Sequence, residues 1–319
     1  KDYLCGRRAN LDLHSAGWFE RNDVDLIRGV TVDRIDVEAR EVITAGGVHY
    51  PYWHLVLAPG SAAVPLAVPG GDLAQQLRSF ADAVALKMAA RHAENAVVVG
   101  AGLIGCEAAA CLAGLGVATT IVAPEIVPLQ RRFGVDVGER IGKMLSDAGV
   151  RFIGASSVAA VEEAGVLLAS GETVDGDVVV AATGVRPDIR LATAAGLATE
   201  DGRIVVDEHM RTSDRNIYAA GDVTLAYNVA AGRSVVSEHW RDAAQQGLVA
   251  GLTAAGFPQS WNRVSEFTCK IGKFTLRYHG WSPPYDSCNV TDRRNGFSAT
   301  YEFDGGVVGT LDATTSPAS

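Results

Sequence analysis

The sequence predicts an α/β protein of about two domains, and three observations support this prediction. The chain has 319 residues, and a globular domain typically takes roughly 150. A short β-branched run at 97–99 is followed by a glycine-rich turn, apolar residues at helical spacing from Leu103 to Leu115, and a second strand at 118–122. Two later strands end in glycine turns, at Gly184 and Gly221. Strands that alternate with helices in this way are typical of parallel sheets.

The composition excludes several classes of protein. Hydrophobic residues make up 48% and charged residues 20%, which is typical of a globular chain and excludes disordered, collagen-like and coiled-coil proteins. The net charge of −9 disfavours nucleic-acid binding, which normally requires a basic surface. Five cysteines are too few for a disulfide scaffold and suit a reducing compartment, so we expect a cytoplasmic protein.

The segment 96–123 is long and apolar enough for a membrane helix, with Glu107 as its single charge. Its internal order argues against a membrane span. Glycines interrupt it at 100–105 and again at Gly114 and Gly116, and both of its ends are β-branched. We therefore expect a buried βαβ unit and no membrane span.

The turn of this unit has the spacing of a dinucleotide-binding loop. Gly100, Gly102 and Gly105 fit G-x-G-x-x-G between a strand and a helix. The first glycine permits the tight turn, the second lets a pyrophosphate approach the backbone, and the third lets helix and strand pack closely. Leu103 and Ile104 open the helix, whose free N–H groups favour phosphate. The alternative is a tight turn without a ligand.

The residue that would bind the adenosine ribose is less clearly marked. An acid usually ends the second strand, but this strand ends at Ala123, which cannot accept a hydrogen bond from a hydroxyl group. Glu125 lies two residues later and is the candidate substitute. Arg131 and Arg132 could instead meet a 2′-phosphate, and an ordinary solvated loop is a third alternative. Because no basic residue ends the strand, NADH is favoured over NADPH.

Two further strands end in small residues where α/β folds bind ligands. The first ends at Ala182, Thr183 and Gly184, where bare backbone would let a ligand ring approach. The second ends at Gly221 and Asp222, whose carboxylate could accept a hydrogen bond from a sugar or ribityl hydroxyl. The alternative for Asp222 is a residue that caps the following turn.

Together these motifs resemble the pyridine nucleotide-disulfide oxidoreductase superfamily, in particular its branch of ferredoxin and rubredoxin reductases and apoptosis-inducing-factor-like flavoproteins. In chain order the matches are Lys1-x-Tyr3-Leu4-x-Gly6, Leu55 to Gly60, Val99 to Glu107, Ala182 to Pro187, Ile217 to Val223, Glu238 to Ala243, and Ile271 to Gly280. The resemblance implies two Rossmann-like nucleotide-binding domains and a small C-terminal α+β domain. It assigns 1–62 and 191–256 to an FAD domain, 63–190 to an inserted NAD(P) domain and 257–319 to the C-terminal reductase domain.

Two features of the FAD half-site depart from the family pattern. The family's first glycine-rich loop, which holds the FAD pyrophosphate, precedes the Lys motif and is not represented in this sequence. Pro59 replaces a usual Thr and removes a backbone donor. A protein that has lost FAD and only binds a nucleotide, as a non-catalytic subunit, is therefore one alternative function.

The resemblance also implies site residues. Lys1 would lie at the reactive edge of the flavin and pair with Glu107, whose charge is costly in an apolar stretch unless it is paired. The alternatives are a solvated terminus for Lys1 and a structural acid at the helix start for Glu107. The implied cofactor-binding residues are Gly100, Gly102, Leu103, Ile104, Gly105, Glu125, Ala182, Thr183, Gly184, Gly221, Asp222, Glu238, His239 and Trp240. The alternative for Trp240 is a buried aromatic at a domain seam.

The function implied is NAD(P)H oxidation through FAD, with electrons passed to a small iron–sulfur protein such as a ferredoxin, a rubredoxin or a Rieske protein. The sequence leaves open whether the protein forms a homodimer. A second alternative is a single-cysteine NADH-dependent disulfide or peroxide reductase that uses Cys5. Cys106 and Cys111 have a C-x4-C spacing, but an i,i+5 pair on a helix is about 8.6 Å apart at Cα and cannot close a disulfide. We expect these two, Cys269 and Cys288 to be packing residues, and we expect no metal site.

The elements around the motifs can also be predicted. The alternation of apolar and polar residues from Thr31 to His54 around Gly46 and Gly47 predicts a hairpin. A helix is expected over Leu73 to Arg91, and strands over Phe274–Tyr278, Phe297–Phe303 and Val307–Leu311.

Overall fold

The computed structural model describes residues 1–8, 12–15, 17–281 and 284–315. The chain divides into two compact units: residues 1–9, 62–186 and 266–319 form the first, and residues 10–61 and 187–265 form the second. The helices are α1 (Trp18–Arg21), α2 (Phe80–Ala90), α3 (Leu103–Gly114), α4 (Gln130–Phe133), α5 (Val135–Asp147), α6 (Arg190–Ala194) and α7 (Trp240–Ala254), and Gly71–Leu73 is a short 3₁₀ turn.

The strands of the first half of the chain are β1 (Val32–Asp36), β2 (Glu41–Thr44), β3 (His49–Pro51), β4 (Leu55–Leu57), β5 (Ser61–Ala63), β6 (Gln75–Gln76), β7 (Asn95–Val99), β8 (Ala118–Val122), β9 (Val150–Ile153), β10 (Val158–Glu162), β11 (Gly165–Leu168) and β12 (Thr173–Asp175). Those of the second half are β13 (Val178–Ala181), β14 (Val185–Pro187), β15 (Thr199–Glu200), β16 (Arg203–Val206), β17 (Ile217–Ala219), β18 (Thr224–Asn228), β19 (Arg233–Val236), β20 (Glu266–Ile271), β21 (Phe274–Gly280), β22 (Ser287–Arg293), β23 (Gly296–Phe303) and β24 (Gly306–Thr315).

A five-stranded parallel sheet forms the centre of the first unit. Its strand order is β6-β13-β7-β8-β9. The predicted βαβ unit is β7, α3 and β8, and β8 has the predicted bounds. Because all five strands run the same way, the loops after β7, β8 and β13 emerge at one edge of the sheet, where α/β folds bind their ligands.

Helix α3 is buried on nearly all sides, which explains its apolar sequence. Its eight residues from Gly105 to Leu112 are all buried. One side packs against β7 and β8 and another against β20 of the C-terminal sheet. That sheet is antiparallel, in the order β20-β21-β24-β23-β22, and its inward residues, such as Phe267 and Leu276, share one hydrophobic core with α3. No helix among the described residues is long and apolar enough to cross a membrane.

The segment 1–8 belongs to this same core. Leu4 is completely buried. The Lys87 ammonium donates to the Tyr3 carbonyl at 2.8 Å and lies 4.5 Å from the centre of the Tyr3 ring. The Tyr3 and Phe80 rings meet edge to face at 4.8 Å between centroids. These contacts hold Lys1 and Cys5 next to α2 and α3.

The second unit contains smaller sheets. Strands β4 and β17 pair in parallel, and β15, β16, β18 and β19 form a four-stranded sheet. Helix α7 packs against β4 and β17. Strand β17 ends at Ala219, and Ala220 leads from it into Gly221 and Asp222.

Two predicted elements differ from the structure. The expected single hairpin over 31–54 is a three-stranded meander of β1, β2 and β3, because a turn closed by a bond from the Ala39 N–H to Asp36 Oδ1 at 2.8 Å adds a strand. The helix expected from Leu73 begins only at Phe80, where Ser79 and Asp82 form a reciprocal capping box. The other predicted strands and helices near the motifs are confirmed within a few residues. The expected assignment of domains to cofactors stays a prediction.

Candidate functional site

The loop after β7 requires glycine at two positions for reasons of packing. Gly100 has a φ of 110°, which disfavours any residue with a side chain. A Cβ atom at Gly100 would overlap the carbonyl oxygen of Ala182, and one at Gly105 would overlap the carbonyl oxygen of Gly100. The loop can therefore form only when both positions are glycine.

Gly102 is glycine for a different reason. It is the N-cap residue of α3, provides no side-chain cap, and a Cβ there would meet no described atom within 4 Å. The first-turn N–H groups at Leu103 and Ile104 have no partner within the helix. A bare, uncapped helix start with open space before it fits an anionic pyrophosphate, which the N–H groups and the helix dipole would bind.

The second predicted loop lies beside the first. Strand β13 pairs with β7 so that Ala181 is opposite Val99, and the Ala182 N–H donates to the Val99 carbonyl at 2.8 Å. The Thr183 hydroxyl donates to the Val64 carbonyl at 2.8 Å, and Gly184 has a φ of 109°. The structure thus brings together the predicted residues 100–105 and 182–184.

Three candidates for binding the adenosine ribose follow β8, namely Glu125, Arg131 and Arg132, and their surroundings differ. Ala123 is buried, and Glu125 forms an ion pair with Arg131 at 2.7 Å between Oε1 and Nε. The guanidinium of Arg132 lies 4.5 Å from the centre of the Phe267 ring, within the aromatic core of the unit. Glu125 and Arg131 therefore remain the candidates at this edge of the sheet.

Lys1 and Glu107 form an ion pair, although 106 residues separate them. Glu107 is 8% exposed. Its other oxygen, Oε1, accepts the backbone N–H of Lys270 at 2.9 Å. Because Glu107 is the fifth residue of α3, it lies beyond the first turn, so the helix dipole alone does not account for it. The two donors offset the cost of its burial.

One prediction about the cysteines is wrong. Cys5 and Cys111 form a disulfide, with their Cα atoms 5.1 Å apart. Cys111 was expected to be a packing residue because its spacing to Cys106 excludes a bond within the helix. That exclusion stands, since Cys106 is a free, buried thiol, but spacing along one helix says nothing about a partner from a distant segment. Cys269 is also a free, buried thiol, as expected.

In the second unit, a buried amide holds the turn after β17. Gly221 has a φ of 86°, and its N–H donates to Oε1 of Gln246 at 2.7 Å. The same oxygen accepts the hydroxyl of Thr224 at 2.9 Å. Gln246 is completely buried on α7. The side chain of Gln246 therefore holds the turn that contains Asp222 from its buried side.

Arg203 connects the turn to the segment before α7. Its guanidinium donates to the Asp222 carbonyl and, at 2.6 Å, to Oε1 of Glu238. The carboxylate of Glu238 is thus paired with Arg203. His239 is the N-cap of α7, and its Nδ1 accepts the Arg241 N–H at 3.3 Å. Trp240, the first residue of α7, is 66% exposed.

Three of these groups are not among the residues predicted from the sequence: Gln246, Arg203 and the backbone N–H of Lys270. The signal that could have indicated Gln246 is its position four residues after Asp242, since this spacing puts two polar residues on one face of α7. Only the structure shows that both are buried. No local pattern marks Arg203 or the backbone N–H of Lys270. Within the described ranges, no group of three or more His, Cys, Asp or Glu residues could hold a metal ion.

A glycine loop between a strand and a helix, at the carboxyl edge of a parallel sheet, defines a dinucleotide-binding protein. Residues 8–247 match the model of the pyridine nucleotide-disulphide oxidoreductase family. The chain belongs to this family, as the ordered motifs predicted. Its members and their ferredoxin–NAD⁺ reductase relatives use FAD and NAD(H).

Curated relatives and solved structures agree with this assignment. The chain is 35% identical over 284 residues to the ferredoxin–NAD⁺ reductase component of the anthranilate 1,2-dioxygenase system of Burkholderia cepacia. The aligned region covers 87% of this chain and 66% of the relative. The chain is also 28% identical over 299 residues to the rubredoxin–NAD⁺ reductase of Pseudomonas putida, covering 91% and 77%. A covalent putidaredoxin reductase–putidaredoxin complex matches with a TM-score of 0.93 at 27% identity, covering 98% of this chain and 79% of the other. The predicted fold class is confirmed.

The different surroundings of two glycines predict different effects of substitution. Gly102→Ala should leave the melting temperature nearly unchanged, because its Cβ would enter open space. It should raise the KM for NADH about tenfold, or ~1.4 kcal/mol, by obstructing the pyrophosphate. Gly105→Ala should lower the melting temperature, because its Cβ overlaps the Gly100 carbonyl. Steady-state kinetics and thermal unfolding measure both, and an unchanged KM in Gly102→Ala would contradict the assignment of this loop.

Asp222 and Gln246 should both affect FAD binding, but differently. Asp222→Ala should weaken FAD about ten- to hundredfold, since a hydrogen bond to a charged group contributes about 1.5–3 kcal/mol. Gln246→Leu should weaken FAD and also lower the melting temperature of the apoprotein, because it frees the Gly221 N–H in the interior. Titration of apoprotein with FAD is the measurement. Equal dissociation constants for wild type and Asp222→Ala would show that Asp222 only caps the turn.

Proposed function

We propose that the protein is an FAD-dependent oxidoreductase that passes electrons from NADH to a small iron–sulfur protein of the ferredoxin or rubredoxin class. The observation that carries the proposal is the ion pair of Lys1 with Glu107, placed on the helix that begins at the dinucleotide loop. The named activities of the relatives support it, since these are ferredoxin–NAD⁺ and rubredoxin–NAD⁺ reductases.

Bound FAD would supply the redox chemistry, as an acceptor of hydride from NADH and a donor of single electrons. The chain's own residues provide binding and charge. The start of α3 and the bare backbone at Gly102 bind the NADH pyrophosphate. The Lys1 ammonium, held by Glu107, supplies a fixed positive charge that stabilises negative charge on the reduced ring. Asp222 anchors the ribityl chain, and the start of α7 at His239 and Trp240 adds its partial positive charge.

A small iron–sulfur protein is the proposed partner, in agreement with the putidaredoxin bound in the complex of the similar reductase. A single-cysteine disulfide or peroxide reductase is not favoured, because the relatives are named ferredoxin–NAD⁺ and rubredoxin–NAD⁺ reductases. A non-catalytic subunit is not favoured either, since the family and the named activities of the relatives are those of oxidoreductases. We place the protein in the cytoplasm, where NADH is available.

NADH preference follows from the ion pair of Glu125 with Arg131. Glu125 can accept a hydrogen bond from the ribose hydroxyl and repels a 2′-phosphate, and it also holds the Arg131 cation that a phosphate could use. Glu125→Gln should lower the ratio of kcat/KM for NADH over NADPH by about tenfold, or ~1.4 kcal/mol. Arg131→Gln is the matched control and should not favour NADPH. A ratio that is the same in wild type and Glu125→Gln would remove Glu125 from cofactor recognition.

Glu107→Gln should slow flavin reduction or electron exit by roughly 10- to 100-fold, or about 1.4–2.7 kcal/mol. The amide can still accept the Lys270 N–H but no longer pairs with the Lys1 charge. Stopped-flow absorbance of the flavin measures both steps, and Lys1→Gln should show a similar loss. Unchanged rates combined with a lower melting temperature would limit Glu107 to a structural role.

The function itself is tested by the choice of electron acceptor. NADH should bleach the visible flavin band under anaerobic conditions, and an oxidised ferredoxin or rubredoxin should restore it faster than a small disulfide or hydrogen peroxide does. Cys5→Ser should preserve this order, because the proposed route does not use Cys5. Faster recovery with the disulfide, lost in Cys5→Ser, would instead identify a disulfide reductase.

A further inference from the structure

The Cys5–Cys111 disulfide joins the segment that carries Lys1 to the helix that carries Glu107. Cys5 follows Lys1 by four residues, and its N–H donates to the Lys1 carbonyl at 2.9 Å. Cys111 follows Glu107 by four residues, so these two side chains lie on one face of α3, one turn apart. The same two pieces of chain are therefore connected twice, by an ion pair and by a covalent bond.

The geometry of the pair suits a bond that forms without rearrangement of the backbone. The Cα atoms are 5.1 Å apart, within the usual range for disulfides. The segment 1–8 is also held by the burial of Leu4 and by the bond from Lys87 to the Tyr3 carbonyl. The two sulfurs would thus remain neighbours after the bond is reduced, which is the requirement for closing it again.

The two sulfurs differ in access, and the nearby thiols are inert. Cys5 is partly exposed, whereas Cys111 is 6% exposed. Burial raises the pKa of Cys106 to about 12 and that of Cys269 well above its usual value. Neither of these buried thiols is a ready nucleophile. Burial also raises the pKa of Cys288, which is partly exposed and lies in the C-terminal sheet. Cys5 and Cys111 are therefore the pair placed for exchange with each other.

We propose that Cys5 and Cys111 are a reversible dithiol–disulfide couple that responds to small-molecule disulfides such as oxidised glutathione and, when oxidised, fixes the Lys1 segment to α3. The cysteine-poor composition and the proposed cytoplasmic location favour a reversible bond over a permanent one, because disulfides in that compartment are usually transient.

The exchange balances in two steps. The Cys5 thiolate attacks one sulfur of the small disulfide, which forms a mixed disulfide on Cys5 and releases one small thiolate. The Cys111 thiolate then attacks the Cys5 sulfur, forms the Cys5–Cys111 bond and releases the second thiolate. The protein loses two electrons and two protons, and the small disulfide gains them as two thiols.

The test is to equilibrate the flavin-loaded protein at different ratios of reduced to oxidised glutathione, to stop the exchange with acid, and to count thiols by maleimide labelling of the unfolded protein and by peptide mass. Two of the five thiols should disappear together, at the same ratio whether approached from the reduced or the oxidised side. The melting temperature should rise on oxidation by on the order of 5 °C, since the bond closes a long loop. Amide hydrogen exchange of residues 1–8 should slow at the same ratio.

Variants separate the couple from a general effect of oxidation. Cys5→Ser should keep its four remaining thiols, whereas Cys111→Ser should stop at a mixed disulfide of glutathione on Cys5, because no second thiol resolves it. Both variants should lose the shifts in melting temperature and hydrogen exchange. Cys288→Ser, which removes a partly buried thiol elsewhere in the unit, should retain both shifts. Five reactive thiols at every ratio would overturn the proposal, and so would a Cys5–Cys111 bond that is reduced only after the protein unfolds.

Discussion

The charge of Glu107 is the constraint on which the first unit depends. A carboxylate inside an apolar helix is costly unless donors surround it, and its donors come from the two distant ends of the unit. Lys1 lies 106 residues before it and Lys270 163 residues after it. Satisfying this one group requires the first segment, α3 and the C-terminal sheet to meet, and the shared hydrophobic core of Leu4, Leu112 and Ile271 forms where they do.

Each unit contains a glycine turn at the end of a strand, and in each the groups that support the turn lie on its buried side. In the first unit, the backbone of Ala182 bonds to Val99 and packs against Gly100. In the second, the Gln246 amide replaces such a backbone neighbour by accepting the Gly221 N–H. A turn that is held by groups on its buried side keeps its exposed side free for a ligand. Because the turn is already ordered, less conformational entropy is lost when the ligand binds.

The buried carboxylate of Glu107 and the disulfide-bonded Cys111 lie on the same helix, α3. Glu107 and Cys111 lie one turn apart on α3, and each has its partner in the same eight-residue segment. A change in the covalent link therefore bears on the mobility of the segment that carries Lys1. The positive charge proposed for the flavin site is positioned by packing, by an ion pair and by the disulfide together.

The sequence by itself determined the βαβ unit, the glycine loop and the family, because these depend on periodicity and backbone conformation over a few neighbouring residues. It also suggested the pairing of Lys1 with Glu107, but only through resemblance. The tertiary structure alone decided that Cys5 bonds to Cys111, that Gln246 holds Gly221 and that Arg203 pairs with Glu238. These contacts join residues 25 to 106 positions apart, and they exist only because the packing of whole elements brings particular faces together, which no local pattern encodes.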